Sequence, residues 1–177
     1  MTVRLAIDGY NLIGATYGME SLHRDIEGIR SKLLARLVDY KRAKGQERAF
    51  KITVVFDGTG SDRSSRSREM VAGIEVVFSR RGEQADFVLK EMAQKMREGL
   101  TIVTSDRDVA EYAKRQESIV VSSEEFDDLL EMAAYAGMKG SDMEEEEETS
   151  GRVGAKKGPA RRLSKEERKK KMRKNKL

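Results

Sequence analysis

The sequence predicts an α/β domain: a mainly parallel central sheet covered by helices on both faces. Two observations carry that expectation. Short β-branched or alternating apolar runs recur five times between residues 3 and 122, and segments of helical period separate them. Such alternation of strand and helix is the pattern of a parallel sheet sandwiched between two helical layers.

The elements follow in order. VRLAID (3–8) alternates Val3, Leu5 and Ile7, and Gly9 is expected to turn the chain behind it. Ile26, Ile29, Leu33, Leu34, Leu37 and Val38 recur with a 3.6 period, so a long amphipathic helix is expected over roughly 21–44, stopped by Gly45. KITVVFD (51–57) reads as a buried strand and IEVVFS (74–79) as a third. Ala85, Val88, Leu89, Met92, Ala93 and Met96 form the next helical stripe, ended by Gly99. LTIVTS (100–105) is a fourth strand, Asp106–Arg115 a short helix and SIVVS (118–122) a fifth strand. Ser122-Ser-Glu-Glu125 resembles a capping box that opens a last helix with Phe126, Leu129, Leu130 and Ala133 inward.

The pattern stops after Gly140. Residues 141–177 are acidic over 142–148 and basic over 152–176, with almost nothing to bury. They read as a mostly disordered charged tail behind a globular domain of residues 1–140. Residues 149–177 hold 13 Lys+Arg against 2 Asp+Glu, a net +11, whereas residues 1–140 hold 22 against 23. The basic character of the chain therefore belongs to the tail. Concentrated Lys and Arg, including Lys169, Lys170 and Lys171, are the electrostatic footprint of RNA binding.

Cysteine is absent from the 177 residues, which excludes disulfides, thiolate metal sites and a Cys nucleophile. Asp8 interrupts the first apolar run too early for a secretory signal, and no stretch approaches the ~20 apolar residues of a membrane span. A soluble, cytoplasmic protein is expected. No G-x-G-x-x-G or Walker-type loop supports a nucleotide cofactor.

In open parallel sheets, ligands bind beyond the carboxyl ends of the strands, where the strand order reverses. Acids accumulate at that edge: Asp8 after the first strand, Asp57 after the second, Asp106 and Asp108 after the fourth, with Asp86 opening the helix that follows the third. Each alone suits a turn or a helix cap. Together they are expensive, because two carboxylates ~5 Å apart repel by roughly 3 kcal/mol at an effective dielectric of 20. Such a cluster needs cations or protons, and hard oxygen donors without His or Cys favour Mg²⁺ or Mn²⁺. An acidic pocket of that kind points to phosphate-ester chemistry.

IDGYNLIG (7–14), VVFDG (54–58), QADFVLKEMA (84–93) and TIVTSDRDVA (101–110) resemble, in order, the motifs of the NYN branch of the PIN-like nucleases, above all the YacP-type proteins. The resemblance implies a three-layer PIN-like fold with strand order 3-2-1-4-5 and a metal-dependent endoribonuclease linked to mRNA cleavage at the ribosome. It implies metal ligation by Asp8, Asp86, Asp106 and Asp108. Asn11 would be the conserved amide beside the first ligand, and Asp57 would sit at the pocket's rim. A catalytically inactive PIN-like module that binds RNA or the ribosome is the alternative.

DRSSRSRE (62–69) reads either as a solvated loop or as an RNA-phosphate clamp carrying Arg63, Arg66 and Arg68, with Arg80 and Arg81 a second candidate. His23, the only histidine, lies outside every motif. A phosphatase of the haloacid-dehalogenase type would want an acid at position 10, where Tyr10 stands, and a receiver domain would want an acid pair and a late lysine that are missing.

Overall fold

A computed structural model describes residues 2–23, 25–45, 49–58 and 64–142. The elements are β1 (Val3–Asp8), α1 (Gly9–Tyr17), α2 (Ile26–Gly45), β2 (Phe50–Phe56), β3 (Ser67–Val71), β4 (Ile74–Phe78), α3 (Ala85–Met96), β5 (Thr101–Val103), α4 (Arg107–Arg115), β6 (Ile119–Val121) and α5 (Ser123–Asp142). They form one six-stranded sheet in the order β3-β4-β2-β1-β5-β6. Every pairing is parallel except that of β3 with β4.

The five expected strands take the expected order, and β3 is added at the edge. It corrects the reading of residues 67–69 as part of a loop. Ser67, Arg68 and Glu69 lack the apolar alternation of a half-buried strand, so period alone misses them. The strand forms because Ala72 (φ 46°) and Gly73 (φ 82°) supply the two left-handed residues of a tight hairpin turn. Its charged side chains suit an outer edge, where they discourage pairing with other chains.

A second difference lies behind β1. Gly9 does not merely turn the chain; it begins α1, with Leu12 and Ile13 buried. A Cβ at Gly9 would come 2.2 Å from the Phe56 ring, so only glycine lets the helix start this close to β2. The long helix accordingly starts at Ile26 rather than near residue 21, after a 3-10 turn over Met19–His23.

Alternation along the strands supplies the two layers. Ala6, Val55 and Val77 pack with Val88, Leu89 and Ala93 of α3 and Val109 and Ala113 of α4. On the opposite face, Tyr40 of α2 meets Phe50 edge-on at 6.1 Å and Phe126 of α5 at 5.4 Å. The chain leaves β1 in one direction and returns from β4 through α3 to β5 on β1's other side. The crevice between β1 and β5 is therefore the point where strand order reverses. Among the described residues no helix is long and apolar enough to cross a membrane.

Candidate active site

Three helix N-termini meet the carboxyl edge of the sheet, and an aspartate caps each one. Asp8, 4% exposed, ends β1 and caps α1: it accepts from the Asn11 backbone N–H at 3.2 Å and from Asn11 Nδ2 at 2.8 Å. Asp106 caps α4 by accepting from the Val109 N–H at 2.9 Å. Asp57 caps α3 from outside the helix, its Oδ1 accepting from the Ala85 N–H at 2.5 Å, where Gln84 gives no side-chain cap. Asp86 sits in the first turn of α3. Asp106 is thus the helix cap that its position suggests, and Asp8 and Asp57, which read as turn residues, act as caps too.

A hydroxyl the sequence did not flag joins the two central strands. Buried Thr104 Oγ1 donates to Asp8 Oδ2 at 3.3 Å and accepts from the Asp106 N–H at 3.1 Å. It bridges the end of β1 to the cap of α4. A threonine at a strand end is unremarkable by pattern, and only the adjacency of β1 and β5 gives it this partner.

Burial pushes the Asp8 carboxyl above its ordinary value, the hydrogen bonds from Asn11 and Thr104 oppose that, and Asp57 adds repulsion. Half-buried Asp86 is raised by burial and then by Asp106, Asp8 and Asp57, with Lys90 acting the other way. Asp8, Asp57 and Asp106 thus all lie near enough to Asp86 to oppose its ionisation.

The Asp108 side chain is 75% exposed and forms an ion pair with Lys90, whose ammonium holds the Asp108 carboxyl below its usual range. Two residues on from Asp106, in the first turn of α4, Asp108 faces the cation of α3 rather than the other acids. Lys90 lies four residues after Asp86 on the same helical face, a spacing legible in the sequence but not singled out there.

The acids offer only hard oxygen donors, and their mutual repulsion would be relieved by a divalent cation, so the residues fit Mg²⁺ or Mn²⁺ in chemistry. Among the described residues no three of them are gathered into a ready-made ligand set.

The arginines are committed elsewhere. Arg66, just before β3, pairs with Glu83 at 2.8 Å and Glu91 at 2.7 Å, joining the strand edge to α3. Arg68 pairs with Glu75 at 2.9 Å and Arg80 with Glu83 at 3.7 Å. Arg81 is exposed and also has a partner. Arg66 is largely buried and ties the strand edge to α3, whereas Arg68 and Arg80 pair at the exposed surface. Arg63, Lys169, Lys170 and Lys171 lie outside the described residues.

The family model described as YacP-like NYN domain matches residues 5–175. Among solved structures, the chain is similar to Rae1 (YacP) from Bacillus subtilis, with a TM-score of 0.64, 23% identity and 81% of each chain covered. It is also similar to a single-substitution mutant of that protein, at 0.65 and 22%, covering 83% of this chain and 86% of the other. At that identity the likeness speaks to the fold. Comparison with curated proteins gives no significant match. With four acids at the switch point of a matching fold and a family match across nearly all its length, the chain belongs to the YacP-like NYN domain family, a nuclease-like family directed at RNA.

Proposed function

We propose that this protein is a metal-dependent endoribonuclease that hydrolyses RNA phosphodiester bonds, with mRNA on or near the ribosome as its substrate. The observation that supports the reading is that Asp106, Asp8 and Asp57, together with burial, oppose the ionisation of Asp86, and that burial and Asp57 oppose that of Asp8. Asp8, Asp86 and Asp106 would hold Mg²⁺ or Mn²⁺, with Asp57 at the rim. A bound divalent ion supplies an acidified water and offsets charge on the phosphate.

The chain's own residues do the positioning. Asn11 uses both its backbone and side-chain N–H groups to fix the Asp8 carboxylate. Thr104 holds Asp8 and the start of α4 in register. Lys90 places a cation beside Asp86 and Asp106, where an incoming phosphate would meet it. No side-chain nucleophile is required. The tail lysines Lys169, Lys170 and Lys171 would add sequence-independent affinity for RNA or the ribosome.

The test is cleavage of single-stranded RNA by purified protein in Mg²⁺ or Mn²⁺. Asp8→Asn and Asp106→Asn should each abolish cutting while leaving a folded protein. Equal cutting by both variants and wild type would overturn the assignment, and RNA binding without cleavage by wild type would favour the inactive module. Mapping RNA 5′ ends in cells with and without the protein tests the ribosomal substrate.

A further inference from the structure

A row of exposed cations crosses the amino edge of the sheet, at the end opposite the acids. Arg4 of β1 and Lys51 of β2 are partners in the parallel register, so two like charges leave neighbouring strands about 4.8 Å apart on one face. Arg4 Nη1 lies against Gly99, just ahead of β5, where a Cβ would come within 3.6 Å of it. Two residues earlier, the Arg97 carbonyl accepts from Ser118 Oγ at 3.0 Å, just ahead of β6. The last turn of α4, with exposed Lys114 and Arg115, leads into that segment. The row therefore runs from Lys51 through Arg4 and Arg97 to Lys114 and Arg115. It follows the starts of β2, β1, β5 and β6, about 14 Å of edge at 4.8 Å per strand.

Among the described residues, no carboxylate forms an ion pair with Arg4, Lys51, Arg97 or Lys114. The acids beside the row are Glu98, Glu117 and, one turn up α4, Glu111, so five cations face three acids. Arg42 and Lys44, in the last turn of α2, add to the charge of the same edge, with Asp39 3.9 Å from Arg42. Helix dipoles account for Lys114 and Arg115, since cations in a last turn complement the C-terminus. They do not account for Arg4 and Lys51, which stand on strands, where like charges directly across destabilise the pairing. An anion laid along the edge turns that repulsion into attraction. Towards the acids the balance is reversed: Arg66, Arg68, Arg80 and Lys90 are each held by a carboxylate, and the crevice repels phosphate. Guanidinium and ammonium groups fixed along a rigid edge contact phosphate oxygens rather than bases.

We infer that this amino edge docks the phosphate backbone of folded RNA. Arg4 and Asp8 are separated by four residues of β1, about 13 Å, so the docked RNA and the strand to be cut meet opposite ends of the sheet. From the nuclease reading the inference takes only that the partner is RNA, and its test reads binding. Full-length protein in EDTA is titrated into a fluorescein-labelled RNA hairpin of about 16 base pairs, followed by anisotropy at about 50–200 mM KCl. Arg4→Gln/Lys51→Gln should weaken binding about tenfold or more and lower the slope of log affinity against log salt by about 2, one for each lost phosphate contact. Relieved of its repulsion, the same variant should unfold in urea at or above the wild-type midpoint, which separates lost binding from lost folding. Lys114→Gln, at an exposed helical position, should lower the slope by about 1. Lys32→Gln/Arg107→Gln, the same charge change away from this edge, should leave affinity within about twofold. Equal losses in the two double variants, an unchanged slope in Arg4→Gln/Lys51→Gln, or no hairpin binding by wild type would overturn the docking edge. Binding to phosphatidylserine vesicles that falls in Arg4→Gln/Lys51→Gln while hairpin binding holds would overturn it too, and assign the edge to a membrane surface. Cleavage by wild type is scored separately. If the variants behave as stated while wild type never cuts, the docking edge stands and the nuclease reading falls.

Discussion

Burial and three carboxylates oppose the ionisation of Asp86, and Lys90 alone assists it. Asp86→Asn should abolish RNA cleavage and at the same time raise the metal-free protein's stability at pH 7. The gain should be at most about 1 kcal/mol, since solvent screens a half-exposed group. Thermal melts with and without Mg²⁺ read it directly. Lys90 and Asp108 form the other residue-scale unit. If Asp108 serves to hold Lys90, then Lys90→Met should cost about tenfold in kcat/KM, and adding Asp108→Asn should cost nothing more. If Asp108 instead ligates metal, Asp108→Asn will raise the Mn²⁺ concentration needed for half-maximal rate, and the two effects will add.

At the scale of elements, α1 and β3 show what local pattern omits. Gly9→Ala drives a methyl into Phe56 at the start of α1, which should destabilise the protein by about 1–3 kcal/mol and misplace Asp8. Urea denaturation and residual activity measure the two effects. The edge strand depends on Arg66, whose side chain is 21% exposed and shared between Glu83 and Glu91. Arg66→Ala leaves Glu83, only 6% exposed, without its main partner, so a loss of about 1–3 kcal/mol is expected in the same measurement. A role of Arg66 in RNA contact would show instead as weaker binding with unchanged stability.

For the whole molecule, the acids set a pH dependence whose sign follows from their direction. Asp8 and Asp86 have folded-state values above the ordinary 3.8, so the stability they contribute is complete at low pH and lost as pH rises through their raised values. Glu83, Glu91 and Asp108 are lowered, and their contribution is lost only as pH falls below the ordinary carboxylate range. Metal-free protein should therefore melt higher in weak acid than at pH 7, then lose stability below about pH 4. Mg²⁺ or Mn²⁺ at pH 7 should restore the difference and flatten the profile, as seen by calorimetry. An identical pH profile with and without metal would argue against cation binding by these acids.

The sequence by itself determined the layered α/β class, the five parallel strands and the acids at their carboxyl ends. Those features are written in apolar periodicity and in where each run stops, which are local properties of the chain. The start of α1 at Gly9 and the hairpin of β3 were not legible. One depends on the Phe56 ring from another strand, and the other on a two-residue turn joining polar segments. The site divides the same way. Asp8, Asp57, Asp86 and Asp106 could be read as candidates, but the Thr104 bridge to Asp8 required β1 and β5 to lie side by side, and the turning of Asp108 onto Lys90 required α3 and α4 to pack together. Charge–charge energies depend on distances between residues far apart in the chain, and only the tertiary structure fixes those distances.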